Sequence, residues 1–314
     1  GSEAVAALGR AIGAEKDAGI RYMTAALLRD LGTRQAEDAP AAAAAIAKTH
    51  AAETDAYARR SMELSLADLA AARPATAVIA AAAIAGGLEK PSDTLTRCLQ
   101  AGQLTVLAQA APETAAAIIG GVTAAFAAEK DKLAAHHLSR TLCAIADNAE
   151  LRPQVIATLS AALCAPPSQA QPLEKTFAAA HALHQIAQTA PQEVTQALAG
   201  ALSTPAQGDN ARRLCILGLG AFAAADKNCA QTAATALLAA LGGEADALHR
   251  RHIVDGVMKA VYNGFSGDLA GRTLYAHLTG QERDRETREK ITRVLRSLGH
   301  KTPAVPMSAP APKA

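Results

Sequence analysis

Leu104-Thr-Val-Leu-Ala-Gln-Ala-Ala-Pro112 and Leu183-His-Gln-Ile-Ala-Gln-Thr-Ala-Pro191 follow one plan. In each, an apolar stripe runs out in alanines and the chain then turns at a proline. Proline suits the first turn of a helix, where its missing N–H has no partner to lose and its φ is already helical. Each stretch therefore reads as the end of one helix and the start of the next. Pro40, Pro74, Pro112, Pro153 and Pro191 take this place in turn, at spacings of 34, 38, 41 and 38 residues. A unit of that length holds two short helices and cannot bury both of their apolar faces alone, so stacked neighbours must complete the core.

Working outward, later units keep the stripe without the proline. Asp209 to Phe222 is followed by the turn Asp226-Lys227-Asn228 and a helix to Leu241; Leu248 to Val261 is followed by a glycine turn at Gly264 and Gly267 and a helix to Leu278. The pattern predicts an all-α, right-handed α-solenoid of about seven antiparallel helix pairs, closed by a helix from Asp284 to Leu298. Residues 1–60 read as an N-terminal cap or divergent repeat, 61–300 as the repeat array, and 301–314, with four prolines and no stripe, as an extended tail.

Composition agrees. The chain has 314 residues, 82 of them alanine, with 50% hydrophobic and 3% aromatic residues and no Trp. Alanine is the best helix former and lets helices pack closely. The apolar half excludes disorder of the whole chain, and the scarcity of aromatics argues against sandwiches and large barrels. A net charge of +2 creates no overall field toward nucleic acid or membrane. The longest apolar stretch, Pro74 to Leu88, has 15 residues, against about 20 for a membrane-spanning helix, so a buried helix is expected. The five cysteines lack any C-x-x-C spacing and read as reduced core residues of a cytoplasmic protein. The opening Gly1-Ser2 resembles a cleavage scar, which leaves room for a removed leader.

Asp209…Arg212-Arg213…Leu217-Gly218 and Asp284…Arg288…Leu295…Leu298-Gly299 resemble the first-helix pattern of HEAT repeats. The prolines and repeat lengths are similar to that family and its armadillo relatives. The resemblance implies a binding platform without enzymatic activity, and it implies that second helices line a concave face.

Charge distribution bears on function. The second helices Pro74–Leu88, Pro112–Ala128, Pro153–Cys164, Pro191–Leu202 and Asn228–Leu241 carry only Glu113 and Glu193. Their polar positions, Gln154, Thr158, Gln192, Thr195, Gln196, Gln231, Thr232 and Thr235, would offer amide and hydroxyl contacts to a peptide or helix of a protein partner. Burial of the same helices by tight curvature or by self-association is the equal alternative. The tail 301–314 is a candidate occupant of such a groove.

From His249 to Lys301, 11 Lys and Arg stand against 6 Asp and Glu. Arg283, Arg285, Arg288, Arg293 and Arg296 are the residues that would meet phosphate or nucleic acid. Interleaved Glu282, Glu286 and Glu289 favour a solvated capping helix instead, so nucleic acid is the weaker expectation. His181 and His184, His249 and His252, and His136 and His137 lie near one another in sequence without a third ligand or a nearby carboxylate pair, so no metal site is assigned. No nucleophile elbow, P-loop or dinucleotide fingerprint occurs; no catalytic residue and no cofactor is named, and an enzyme with a scattered site stays as an alternative.

Overall fold

The computed structural model describes residues 2–90, 92–165, 173–204 and 208–302. Among these the chain is all-helical, with sixteen α-helices and no strand. The expected tail lies outside the described residues beyond Thr302. No helix among those described is long and apolar enough to cross a membrane.

The chain divides into two units, Gly1–Ile186 and Ala187–Ala314. The first contains α1 (Ser2–Ala14), α2 (Ala18–Arg34), α3 (Ala39–Ala52), α4 (Ala56–Ala72), α5 (Ala77–Gly87), α6 (Thr94–Ala110), α7 (Ala115–Ala128), α8 (Lys132–Ala146), α9 (Arg152–Cys164) and α10 (Leu173–Ile186). The second contains α11 (Pro191–Leu202), α12 (Asp209–Ala225), α13 (Lys227–Leu241), α14 (Ala247–Tyr262), α15 (Gly267–Gly280) and α16 (Arg285–Ser297). Pro40, Pro153 and Pro191 sit in the first turn of α3, α9 and α11, while Pro74 and Pro112 open short 3-10 turns that lead into α5 and α7. α4 runs through residue 60, and α2 with α3 already forms a helix pair ahead of it.

Local chemistry starts most of the longer helices. Asp17, Asp55, Asp93, Asp131, Asp246 and Asp284 are N-caps whose carboxylates accept backbone N–H bonds from the first turn. Each such cap contributes about 1 kcal/mol by satisfying a donor that the helix cannot.

Packing then repeats at the same interval. In the first unit, α2, α4, α6, α8 and α10 each pack on the next, α1, α3, α5, α7 and α9 do likewise, and paired helices join the two layers. Leu28, Leu66, Leu104 and Leu142, each 38 residues from the last, are all fully buried at the centre of the even-numbered layer. Ile46, Ile84 and Val122 form the matching column in the other layer. In the second unit α12 packs on α14 and α14 on α16, α11 on α13 and α13 on α15, with Leu219, Val257 and Leu295 as the buried column. Burial of such a side chain stabilises by about 1.5–3 kcal/mol. Small residues allow close crossings: a Cβ at Gly121 of α7 would come within 2.9 Å of the Ala85 carbonyl of α5.

Candidate functional site

A polar ladder runs beside the caps. Two residues before Asp17, Asp55, Asp131, Asp246 and Asp284 stands a glutamate, and four after each of the capping aspartates except Asp131 an arginine, as in Glu53-Thr54-Asp55…Arg59 and Glu244-Ala245-Asp246…Arg250. The arginine of one helix pair reaches the glutamate 32 residues later: Arg21 to Glu53 at 2.7 Å, Arg97 to Glu129 at 2.7 Å, Arg212 to Glu244 at 2.5 Å and Arg250 to Glu282 at 2.8 Å. The same guanidinium caps the preceding turn, as when Arg250 donates to the carbonyls of Glu244 and Ala245 at 3.0 and 2.6 Å. Each glutamate in turn accepts backbone N–H bonds at the next helix start, Glu53 from Thr54 and Asp55, and Glu282 from Asp284.

These contacts set the charge states. The bond from Arg21 holds the Glu53 carboxyl below the ordinary carboxylate range. For Glu129 and Glu282 burial pushes the other way and is the largest single influence, but the arginine together with backbone N–H bonds outweighs it, so both are also lowered.

Where the arginine position is Ala135, a lysine from the next even-numbered helix substitutes. Lys175 of α10 is 4% exposed, donates to the Ala127 carbonyl at 2.6 Å and lies 5.4 Å from the Phe126 ring centroid. Burial pushes its ammonium pKa down, with Glu129 opposing. Lys90 plays the same part at the end of α3, donating to the carbonyls of His50 and Ala51 at 3.0 and 2.8 Å. Beside it, buried Glu63 accepts from Gln100 at 2.7 Å and lies 2.9 Å from His50 Nε2. Every one of these groups is engaged in holding helices together, with no room beside Glu63, where a Cβ on Gly87 would already meet the carboxylate at 2.7 Å.

The ladder was legible in sequence. The aspartates recur at 38-residue intervals from Asp17 to Asp131 and again from Asp246 to Asp284. The Asp and Arg pattern of the later copies also stands at Asp17 and Arg21, Asp55 and Arg59, and Asp93 and Arg97; a reading confined to the later copies misses these and the glutamate that is the arginine's partner.

The eight expected recognition residues scatter. Gln154 on α9, Gln192 and Gln196 on α11, and Gln231 and Thr235 on α13 are exposed, and Thr158 and Thr232 are half-buried. Thr195 is a correction: it is 1% exposed and its hydroxyl donates to the Pro191 carbonyl at 2.7 Å. The helical period places it on the inner side with Leu198 and Leu202, away from Gln192 and Gln196. Thr158 and Thr235 also spend their hydroxyls on their own helices, on the carbonyls of Gln154 and Gln231. The hollows beside these helices, about 500 Å³ between α7 and α9 and about 530 Å³ between α11 and α13, are lined about half by alanine, with Phe126 and Lys175 in the first and the paired Arg212 and Glu244 in the second.

Of the C-terminal arginines, Arg288 donates to the carbonyls of Leu278 and Glu282 and so closes α15, and Arg285 bonds Glu289 at 2.8 Å. Arg283, Arg293 and Arg296 are exposed. Among the described residues no group of three or more His, Cys, Asp or Glu could hold a metal ion. Burial pushes the Cys143 thiol up to about 12, which leaves it a poor nucleophile.

The feature that the sequence did not reveal is on the other layer. Ile20, Met23 and Leu27 on α2, Tyr57 and Leu64 on α4, Leu95, Leu99 and Val106 on α6, Leu133 on α8 and Phe177 on α10 are all exposed. Leu64, Leu99 and Val106 line a groove of about 510 Å³ between α4 and α6, with Ala67, Ala71, Pro74, Gly102 and Ala110 along it and His137 of α8 at its side. Nothing lies within 4 Å of where a Gly102 Cβ would stand, so the missing side chain opens the groove. A hollow of about 620 Å³ near Arg21 and Glu53 is larger, but it is lined by ladder groups already paired and by Arg10 and Lys48.

No family model and no curated protein matches the chain. Among solved structures it is similar to a protein described under "Computational Design of Self-Assembling Cyclic Protein Homooligomers", with 15% identity over 95% of this chain and 89% of that one. At a TM-score of 0.16 the likeness carries no argument.

Proposed function

We propose that this chain is a HEAT-like, right-handed α-solenoid serving as a non-enzymatic protein-binding scaffold, and that it holds an apolar helical segment of a partner in the groove between α4 and α6. The stacking of alternate helices within each unit supports the architecture, as does the recurrence of cap, arginine and glutamate every 38 residues.

The observation that carries the function is the groove. A soluble surface normally scatters its large apolar residues singly, whereas contiguous ones mark interaction sites. Here Leu64, Leu99 and Val106, exposed by 47, 36 and 63%, converge on one concavity that Ala67, Ala71, Ala110 and Gly102 also line. A helix with apolar residues at i, i+3, i+4 and i+7 matches such a surface. The glutamines of the other layer lack large apolar anchors, and interfaces draw most of their energy from such anchors.

The test is selection of displayed peptides against the intact protein, followed by measurement of the survivors on Leu99→Glu/Val106→Glu. Selected peptides should share an apolar helical stripe and bind the double variant at least about tenfold more weakly, since two buried charges would face apolar side chains. Peptides that bind both proteins alike would refute the groove as the recognition site.

A further inference from the structure

The groove is not electrically symmetric. Its α4 side is balanced: Arg60 and Asp68 of α4 stand with Arg29 and Asp30 of α2, and Arg29 bonds both Asp30 at 2.8 Å and Asp68 at 3.2 Å. On the other side, α6 and α8 contain no Asp or Glu between their caps, Asp93, Asp131 and Asp147, and α10 has only Glu174 in its first turn. In place of acids, α8 presents exposed Lys132, His136 and Arg140 beside His137, which itself lines the groove. The His136 ring lies 6.4 Å from that of His181 on α10, so the imidazoles extend the same surface across two helices. Arg97 of α6 is committed to Glu129 and adds no free charge.

From this arrangement we infer, on the premise that the groove is the recognition site, that its occupant is an amphipathic helix of a partner protein that carries carboxylates along the flank facing α8. The apolar stripe fills the space between α4 and α6; the acidic flank meets Arg140, Lys132 and the imidazole N–H groups. The same field excludes a helix with a basic flank, because like charges brought together at a rim are repelled and cannot be relieved without lifting the apolar face. The flank thus determines which way round the helix lies.

The test uses two synthetic helical peptides with one apolar stripe and four flank positions occupied by Glu in one and Lys in the other. Fluorescence anisotropy reads their binding to the full chain at 50 mM and 500 mM salt. The Glu peptide should bind about tenfold more tightly at low salt, and the difference should shrink at high salt as the rim charges are screened. Lys132→Glu/Arg140→Glu, both at exposed positions, should reverse the preference, a swap that mere loss of structure would not produce. Equal binding of the two peptides, or a preference that survives the charge reversal, overturns the acidic flank and leaves the groove standing. If neither peptide binds, both the groove reading and this inference fall.

Discussion

Replacing Gly102 by leucine is expected to close the groove and stabilise the protein at the same time. Gly102 lies inside α6, where glycine costs roughly 0.8–1.0 kcal/mol relative to alanine and leucine is nearly as favourable as alanine. A Cβ there has no heavy atom within 4 Å, so the first carbon of the new side chain meets nothing. The added side chain enters the groove of about 510 Å³ among Leu99, Val106 and Ala67, and gains further by covering them. Stability should therefore rise by about 1 kcal/mol, which for a cooperative unit of 150–250 residues is roughly 2–4 °C in Tm. Affinity for a groove-binding helical peptide should fall at least about tenfold because its central anchor has nowhere to sit. Calorimetry and anisotropy on the same preparation decide the matter. Gly102→Ala supplies the graded control, with most of the stability gain and a smaller loss of binding. A variant that is folded, more stable and undiminished in binding would show that peptides bind elsewhere. A variant that melts lower would show that the space at position 102 is not open.

The ladder makes its own predictions. Arg250→Leu leaves the Glu282 carboxylate, whose side chain is fully buried, with only His277 and a backbone N–H, and should cost about 3–5 kcal/mol in chemical denaturation; a loss below 1 kcal/mol would mean that the pair is not a structural element. Because Glu53, Glu129 and Glu282 are held below the ordinary value of 4.5, the native state binds fewer protons than the unfolded chain in acid. Their stabilisation is complete above that value and is lost as pH falls through the lower native values, so Tm should hold from neutral pH down to the ordinary carboxylate range and drop below it. A Tm that rises on acidification would contradict the assignment. Gly121→Ala brings a methyl within 2.9 Å of a backbone carbonyl that cannot swing away, so α5 and α7 must separate, at a cost of about 1–3 kcal/mol by thermal melting; an unchanged melt would show that the crossing is looser than described.

Local rules made much of the fold legible. Helix starts depend on caps and on proline in the first turn, and these involve residues within four positions of one another, so Asp93 before Thr96 or Pro191 before Val194 announces its helix without reference to the rest of the chain. The 38-residue interval was equally readable, because the buried column Leu28, Leu66, Leu104 and Leu142 requires the same residue type each time. The functional surface was less accessible. Composition pointed to the uncharged second helices, whereas the exposed leucines and valine of the groove lie on the more charged first helices. Averaging charge over a helix conceals that its sides differ, and it also concealed that Thr195 points inward while Gln192 and Gln196 point out.

What the sequence alone determined, then, is the helical pairing and its period, since capping, proline geometry and apolar spacing act over a few residues. Which apolar side of each helix is covered was decided only by tertiary packing. α6 is apolar on more than one side; α8 covers the side of Ala101 and Thr105, where Thr141 bonds both, while Leu99 and Val106 stay uncovered because α4 and α6 leave a groove over Gly102. Exposure is a property of the neighbours, and the neighbours are distant in the chain.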